Sequence, residues 1–387
     1  MGKRINLGIV FDYNEDWIGG TYYFQYLIQS LNLLDDKKKP FITIISNNIN
    51  SFDSVKTLNY PYIKYESLVH TKTKLEKIKD RIRLKIFPNK KIPIKKIDFD
   101  IDVLFRPSEI IIPNKIKKHL YWIPDFQEVH LPHLFSKEYL DYRKKTQELL
   151  LSKNKNILFS SNDAYEDFKK LYPNSESICY VVPFSVFHPD FTSITIDDVR
   201  NKYGIEKNIP YFFSPNQFWK HKNHLVVLKA AKKLKEENIN VRILFSGKES
   251  DPRNPTYFDE LKDYVKSNNL EKNISFLGFI DRKEQLCLMK NAKAVIQPSL
   301  FEGWSSVVED AKSLNKNIIV SSLNVHREQL ENKAYYFDPY DEGDLADKMS
   351  FFLNNEVEEP IFDYDKNLKH FGLNFINVIS KIYNDQP

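Results

Sequence analysis

The chain has 387 residues, a length at which one hydrophobic core ordinarily divides into two. Hydrophobic residues make up 42% and charged residues 28%, which excludes a disordered or fibrous chain. The net charge of +5 is modest, and two cysteines in apolar runs, Cys179 and Cys287, exclude a disulfide framework and predict reduced thiols, as in a cytoplasmic protein.

Met1–Tyr13 holds two basic residues and the apolar run Ile5–Phe11, which is too short to span a membrane and predicts a buried first strand, not a signal peptide. From there β-branched runs alternate with amphipathic stretches, the pattern of parallel sheets covered by helices. In the first half, strands are expected at Asn6–Phe11, Phe41–Ile45, Val103–Phe105, Leu120–Ile123, Ile157–Phe159 and Ile178–Val182. Helices are expected at Thr21–Leu34, Lys74–Ile86, Lys137–Leu151 and Asp163–Leu171, the last capped by Ser161 or Asn162. Lys72–Lys96 carries eleven Lys or Arg against Glu76 and Asp80. Either a solvated helix and loop or a patch for anionic lipid headgroups explains this stretch. No nucleic-acid motif accompanies it, so nucleic acid is not an expected partner.

Pro183–Asn208 is polar and without a clear period, and it reads as a linker. The alternation then resumes, with strands at Tyr211–Ser214, Arg242–Ser246, Ile274–Leu277, Ala294–Gln297, Asn317–Val320 and Tyr335–Phe337. Helices fall at about Lys222–Glu236, Tyr257–Ser267, Arg282–Lys290 and Ser305–Leu314, and a last amphipathic stretch covers Leu368–Tyr383. The expected organisation is a first α/β domain over 1–185, a linker over 186–208, a second α/β domain over 209–365 and a terminal helix over 366–387 that crosses back to the first domain.

The chemistry concentrates where strands give way to helices. Pro298–Ala311 follows a strand and opens a helix, the place where open parallel sheets bind ligands. Backbone N–H groups near Trp304, Ser305 and Ser306 would face anions and hydroxyls there, and Gly303 lets the chain turn. Glu302 and Glu309 supply carboxylate acceptors suited to a ligand rich in hydroxyls. Ser214–His224 has the same strand-to-helix setting, and its Lys222 offers a compact charge for a diphosphate. Trp17–Thr21 places Gly19 and Gly20 before a helix, where a backbone can approach a phosphate or sugar closely. Ile123–His133 follows a strand and brings Asp125, His130 and His133 to the rim of the same cleft.

The glutamate pair and its flanks resemble the signature of retaining glycosyltransferases of family 4, which have the GT-B fold of two Rossmann-like domains facing each other across a cleft. The resemblance implies that Glu309 binds the ribose of a nucleotide, that Glu302 lies near the donor sugar, and that Lys222 contacts the phosphates. Many family members carry an Arg earlier in the Lys222 loop, where this chain has Asn216 and Gln217. The Gly19–Gly20 segment is similar to the loop that closes over the donor, and Ser246–Lys248, with Gly247, to the loop over which base and ribose lie. Related enzymes often place a His–Asp pair near the acceptor. Here Pro124 stands where that His would be, while Asp125 is present.

Asp98, Asp100 and Asp102 imitate a metal-binding pattern but read better as a strand entry. The pairs His130/His133 and His221/His224 lack a third ligand, so neither a metal nor another cofactor is expected. The resemblance implies transfer of a sugar from a nucleoside-diphosphate sugar to a glycan or lipid-linked glycan acceptor, with retention and catalysis by Glu302, Lys222 and Asp125. The setting it implies is bacterial lipopolysaccharide or capsule assembly in the cytoplasm, with possible contact to the inner membrane face. A nucleotide-sugar epimerase on the same fold and an inactive sugar-binding module are the alternatives.

Overall fold

The computed structural model describes residues 3–13, 18–67, 100–105, 116, 118–153, 155–207 and 209–385. The expected helix at Lys74–Ile86, the basic stretch Lys72–Lys96, Trp17 and Asp98 lie outside the described residues.

The first sheet has seven parallel strands in the order β3-β2-β1-β4-β5-β6-β7. They are β1 Asn6–Val10, β2 Phe41–Ser46, β3 Ile63–Ser67, β4 Val103–Phe105, β5 His119–Ile123, β6 Asn156–Phe159 and β7 Ile178–Val181. Helices α1 Ile18–Asn32, α2 Ile49–Lys56, α3 Gln127–His130, α4 Lys137–Lys153 and α5 Asn162–Leu171 accompany it. The second sheet has six parallel strands in the order β10-β9-β8-β11-β12-β13. These are β8 Phe212–Ser214, β9 Ile243–Phe245, β10 Ile274–Phe276, β11 Val295–Gln297, β12 Ile318–Ser321 and β13 Tyr335–Phe337. With it come α6 Ile196–Tyr203, α7 His224–Glu236, α8 Tyr257–Ser267, α9 Arg282–Asn291, α10 Ser306–Ser313, α11 Asn324–Leu330 and α12 Glu342–Asn354. The last helix is α13 Tyr364–Asn384.

Central strands such as β4, β8 and β11 are buried along their whole length, as expected of parallel strands covered on both faces. In each sheet the strand order reverses beside the first strand of the domain, between β1 and β4 and between β8 and β11. Crevices form at such switch points, outside the carboxyl ends of the strands.

The polar stretch read as a linker holds the short helix α6. Thr195 caps its first turn by accepting from Asp198 N, and Gly204 ends it in the left-handed region at φ 64°. Val199 and Ile205 are buried against the second sheet's core, so the packing that stabilises this helix is tertiary and leaves little trace in local periodicity. The last helix joins the first domain: Phe371, Phe375, Ile379 and Ile382 pack in one core with Phe24, Leu27, Leu31 and Phe105. It approaches α1 so closely at Gly372 that a Cβ there would lie 2.5 Å from Ser30 O.

Two further contacts tie the halves together. Glu328 on α11 accepts from Asn162 N at 2.9 Å and Asp163 N at 3.2 Å, so one domain caps a helix of the other. The Tyr364 hydroxyl accepts from Val186 N and donates to Glu309 Oε2, both at 2.9 Å.

Candidate functional site

A cavity of about 1580 Å³ lies between the two sheets, lined by residues from both. That exceeds the roughly 300–1,000 Å³ usual for one small ligand and leaves room for two substrates.

The turn after β11 builds one wall. Ser305 caps α10, its Oγ accepting from Val308 N. Glu302 is 9% exposed, and its Oε1 accepts from Lys222 Nζ at 2.6 Å, Ser299 Oγ at 2.6 Å and Gln297 Nε2 at 2.7 Å. Burial alone would raise the Glu302 carboxyl, but the adjacent Lys222 ammonium and the Ser299 hydroxyl hold it below the usual carboxylate range. Lys222 ends the short 3-10 turn Lys220–Lys222 that leads into α7, so backbone geometry fixes the stem of this cation. Glu302 and Lys222, read separately from sequence, therefore meet as a partly buried ion pair on the cleft.

Glu309 is not on the cleft, contrary to expectation. It is 1% exposed and accepts from Lys312 Nζ at 2.9 Å, Gln329 Nε2 at 3.1 Å and the Tyr364 hydroxyl at 2.9 Å. A helix turns about 100° per residue, so Glu309 is rotated away from the direction that its neighbour Asp310 faces. Asp310 is the one that lines the cavity, together with Ser306 one turn earlier. Burial would raise the Asp310 carboxyl, and Arg282 at 2.5 Å and His188 at 3.0 Å bring it below its usual range instead. The sequence reading chose the glutamate by residue type, whereas helix phase selects the aspartate.

Ser305 is a second correction. Its N–H donates to Gln329 Oε1 at 3.0 Å, its hydroxyl accepts from Val308 N as the cap, and it is buried and does not line the cavity. Trp304 borders the cavity while its indole donates to Phe184 O at 2.9 Å, across the domain junction. Gly303 touches the opposite domain: a Cβ there would stand 2.6 Å from both Asp125 Cβ and Pro124 O.

Gly19 and Gly20 line the cavity, but as the first turn of α1, not as a loop ahead of it. A Cβ at Gly19 would meet nothing within 4 Å, so this helix start is open to the cleft. Asn216 and Gln217 line the cleft after β8. Gly247 allows a close approach of backbones: it lies at φ +156°, and a Cβ would fall 2.2 Å from Asn216 O.

On the first domain's side, Asp125 lines the cavity and accepts from Gln127 N at 3.2 Å. Burial raises its carboxyl. His133 also lines the cleft. His130 does not; it binds Asp167 at 2.6 Å, which raises its imidazole, and lies 5.0 Å from the Phe301 ring. Of the other histidine pair, His221 lines the cleft, and burial keeps it neutral, aided by Lys222 and Arg253. His224 stacks on Phe218 in the core, and burial lowers it to about 3. Asp102 is a strand-entry residue, accepting from Asn6 N at 2.8 Å and pairing with Lys3. Among the described residues, no group of three His, Cys, Asp or Glu is placed to hold a metal ion.

Sequence reading missed three arginines on the cavity: Arg143, Arg253 and Arg282. Arg282 had a readable signal, since it opens α9 right after Asp281, whose side chain caps the helix by accepting from Lys283 N. Arg253 sits in a loop without periodicity and gave none.

Comparison with known proteins bears on this geometry. Residues 195–371 match the family model described as Glycosyl transferases group 1. The similarity to that family covers a little less than half of the chain. The matched segment contains the Lys222, Glu302 and Asp310 cluster. The O-antigen chain mannosyltransferase RfbU of Salmonella typhimurium is 30% identical over 168 residues, 41% of this chain and 45% of the relative. An Escherichia coli protein named UDP-Gal:alpha-D-GlcNAc-diphosphoundecaprenol alpha-1,3-galactosyltransferase is 24% identical over 304 residues, 75% of this chain and 74% of that one. The match thus spans less than half of the first relative's length and about three quarters of the second's. A glycosyltransferase structure from Rickettsia africae superposes with a TM-score of 0.66 at 14% identity, covering 99% of this chain and 98% of that one. The likeness is one of fold, and the fold is GT-B.

Proposed function

We propose that the chain is a glycosyltransferase that moves a sugar from a nucleoside-diphosphate donor to a hydroxyl of a glycan or lipid-linked glycan, with retention at the anomeric carbon. The observation that carries this is the wall of Glu302, Gly303, Ser306 and Asp310, with Lys222 at 2.6 Å, at the switch point of the segment similar to the glycosyl transferases group 1 family.

In this reading Asp310 takes the place first given to Glu309 and accepts the ribose hydroxyls. Lys222 turns from Glu302 to the diphosphate, and the freed Glu302 carboxylate accepts a hydroxyl of the donor sugar. As the sugar–phosphate bond breaks, charge gathers on the leaving diphosphate. Lys222 and the open start of α1 stabilise that charge, electrostatic assistance by groups already in place. The acceptor approaches from the side of Asp125. Because protein cations meet the phosphates, the reaction needs no divalent metal and no other cofactor.

The two relatives' names, an O-antigen mannosyltransferase and a galactosyltransferase acting on a diphosphoundecaprenol-linked sugar, support a role in surface polysaccharide assembly. The reaction then takes place in the cytoplasm. Among the described residues no helix is long and apolar enough to cross a membrane, and contact with an anionic leaflet would fall to Lys72–Lys96.

Product analysis tests the reading. The chain is incubated with a panel of nucleotide sugars and alkyl glycoside acceptors, and the new linkage is assigned by the anomeric proton in NMR. A disaccharide with the donor's anomeric configuration is expected. An inverted linkage removes retention, and conversion of the nucleotide sugar to its epimer without transfer replaces the reading with the epimerase.

A further inference from the structure

Four cations line the described cavity: Arg143, Lys222, Arg253 and Arg282. Three of them are engaged. Lys222 is bound to Glu302 at 2.6 Å. Arg282 donates to Gln285 Oε1 at 2.9 Å and to Asp310 Oδ1 at 2.5 Å. Arg253 reaches Asp251, Gln127 and His221 through its three nitrogens, and its guanidinium lies over the rings of Phe135 and Trp219, 4.9 and 5.0 Å from their centroids. Arg253 is therefore a domain-bridging group, with each of its three nitrogens already engaged.

Arg143 differs. It donates through Nε to Glu128 Oε1 at 3.2 Å, and no described residue accepts from its two Nη groups. Glu128 is itself held: the same oxygen accepts from Gln147 Nε2 at 2.9 Å, and Gln147 Oε1 accepts from the Tyr172 hydroxyl at 2.9 Å. This relay braces the guanidinium by its side edge and leaves the terminal fork, the edge that matches carboxylate and phosphate oxygens, for the cavity. Arg143 lies on α4 with Thr146 and Leu150, positions that share one helix face and line the same space. Asp125 stands on the same first-domain wall of the cavity, its carboxyl raised by burial and lowered by the Arg143 charge. Arg143 therefore belongs to the first-domain wall, whereas Lys222, Glu302 and Asp310 stand on the second-domain wall.

We propose that Arg143 binds an anionic group, a phosphate or a carboxylate, on the acceptor, and so selects charged acceptors over neutral glycans. The assignment rests on the glycosyltransferase reading and adds to it a class of acceptor and the residue that recognises it. Glu128 is a positioning residue, acting through Arg143.

The test uses the full chain and three acceptor sets built on the same hexoses: neutral octyl hexosides, octyl hexosyl phosphates and octyl hexuronides. Initial rates of transfer give KM and kcat, and release of nucleoside diphosphate without acceptor is measured in parallel. The wild type is expected to show a lower KM for an anionic set than for the neutral one, and the favoured set identifies phosphate or carboxylate as the source. Arg143→Gln should raise KM for that set on the order of ten- to a hundredfold, the scale of a charge-assisted hydrogen bond. It should leave the neutral KM and acceptor-independent donor cleavage unchanged. Arg143→Lys, which keeps the charge without the fork, should retain part of the preference. If Arg143→Gln unfolds, seen as a lowered Tm with lost donor cleavage, the Lys variant decides by whether preference for the anionic set persists in reduced form. Equal KM for neutral and anionic acceptors in the wild type overturns the proposal, as does an equal loss on all sets in a folded Arg143 variant. A wild type that cleaves no nucleotide sugar defeats the glycosyltransferase reading itself, and this inference falls with it.

Discussion

At the scale of single residues, Glu309 and Asp310 are neighbours with opposite duties. Asp310→Asn should weaken nucleoside diphosphate binding, by about 1.5–3 kcal/mol if it accepts ribose hydroxyls as a carboxylate. Glu309→Ala should leave that affinity largely intact and lower Tm, because it strips a buried partner from Lys312, a loss on the order of 3 kcal/mol. Titration calorimetry beside thermal melts separates the two, and the reverse pattern would restore Glu309 to the cleft. The Lys222–Glu302 pair makes a pH prediction. The folded Glu302 carboxyl is held below its ordinary 4.5, so its stabilising contribution is present above that value and is lost as pH falls through the depressed one. In Lys222→Met the buried carboxylate keeps its desolvation and loses its cation, which raises it. The variant should therefore lose less stability than the wild type between neutral pH and pH about 3. Parallel acid dependence of Tm in the two proteins would show that the pair is not coupled. Much of this site was legible because Glu302, Lys222 and Gly303 stand at strand-to-helix turns, where chemistry is read from position. Which of two adjacent carboxylates faces inward was not, since Tyr364 and Gln329, which orient Glu309, come from distant parts of the chain.

At the scale of elements, the β-branched runs fixed the central strands to within a residue or two, because a strand buried on both faces has to be apolar throughout. The edge strand β3 escaped notice: its Ile-Lys-Tyr-Glu-Ser sequence alternates and is nowhere fully buried. Short helices α6 and α11 were missed for a related reason, since eight and seven residues carry too little periodicity and owe their stability to packing. The turn between β11 and α10 presses against the other domain, and Gly303 is its point of contact. Gly303→Ala should force Pro124 and Asp125 away and reduce turnover strongly while the second domain stays folded, as the clash is with backbone of the facing domain. Far-UV circular dichroism and transfer rates check this, and a fully active Gly303→Ala enzyme would mean the two walls do not approach this closely during the reaction.

At the scale of the whole molecule, the two domains are tied by contacts that bridge them: Glu328 of α11 at the start of α5, the Trp304 indole to Phe184 O, and Tyr364 between Val186 and Glu309. The Tyr364 hydroxyl lies where the chain passes between domains, so donor-wall helix α10 is connected to the interdomain crossing. The GT-B resemblance in the sequence anticipated two domains and a returning terminal helix in outline. It could not show which cations lining the cleft are already engaged. The central claim is that this cleft cleaves a nucleoside-diphosphate sugar with protein cations alone supporting the leaving group. It is tested most directly by measuring nucleoside diphosphate release and sugar transfer from a donor panel after exhaustive EDTA treatment, for the wild type beside Lys222→Ala. The account predicts that the chelated wild type stays active and that Lys222→Ala loses roughly a hundredfold in rate, about 3 kcal/mol of barrier. A chelated wild type that is inactive until manganese is restored, beside a Lys222→Ala variant with normal rate, would contradict it.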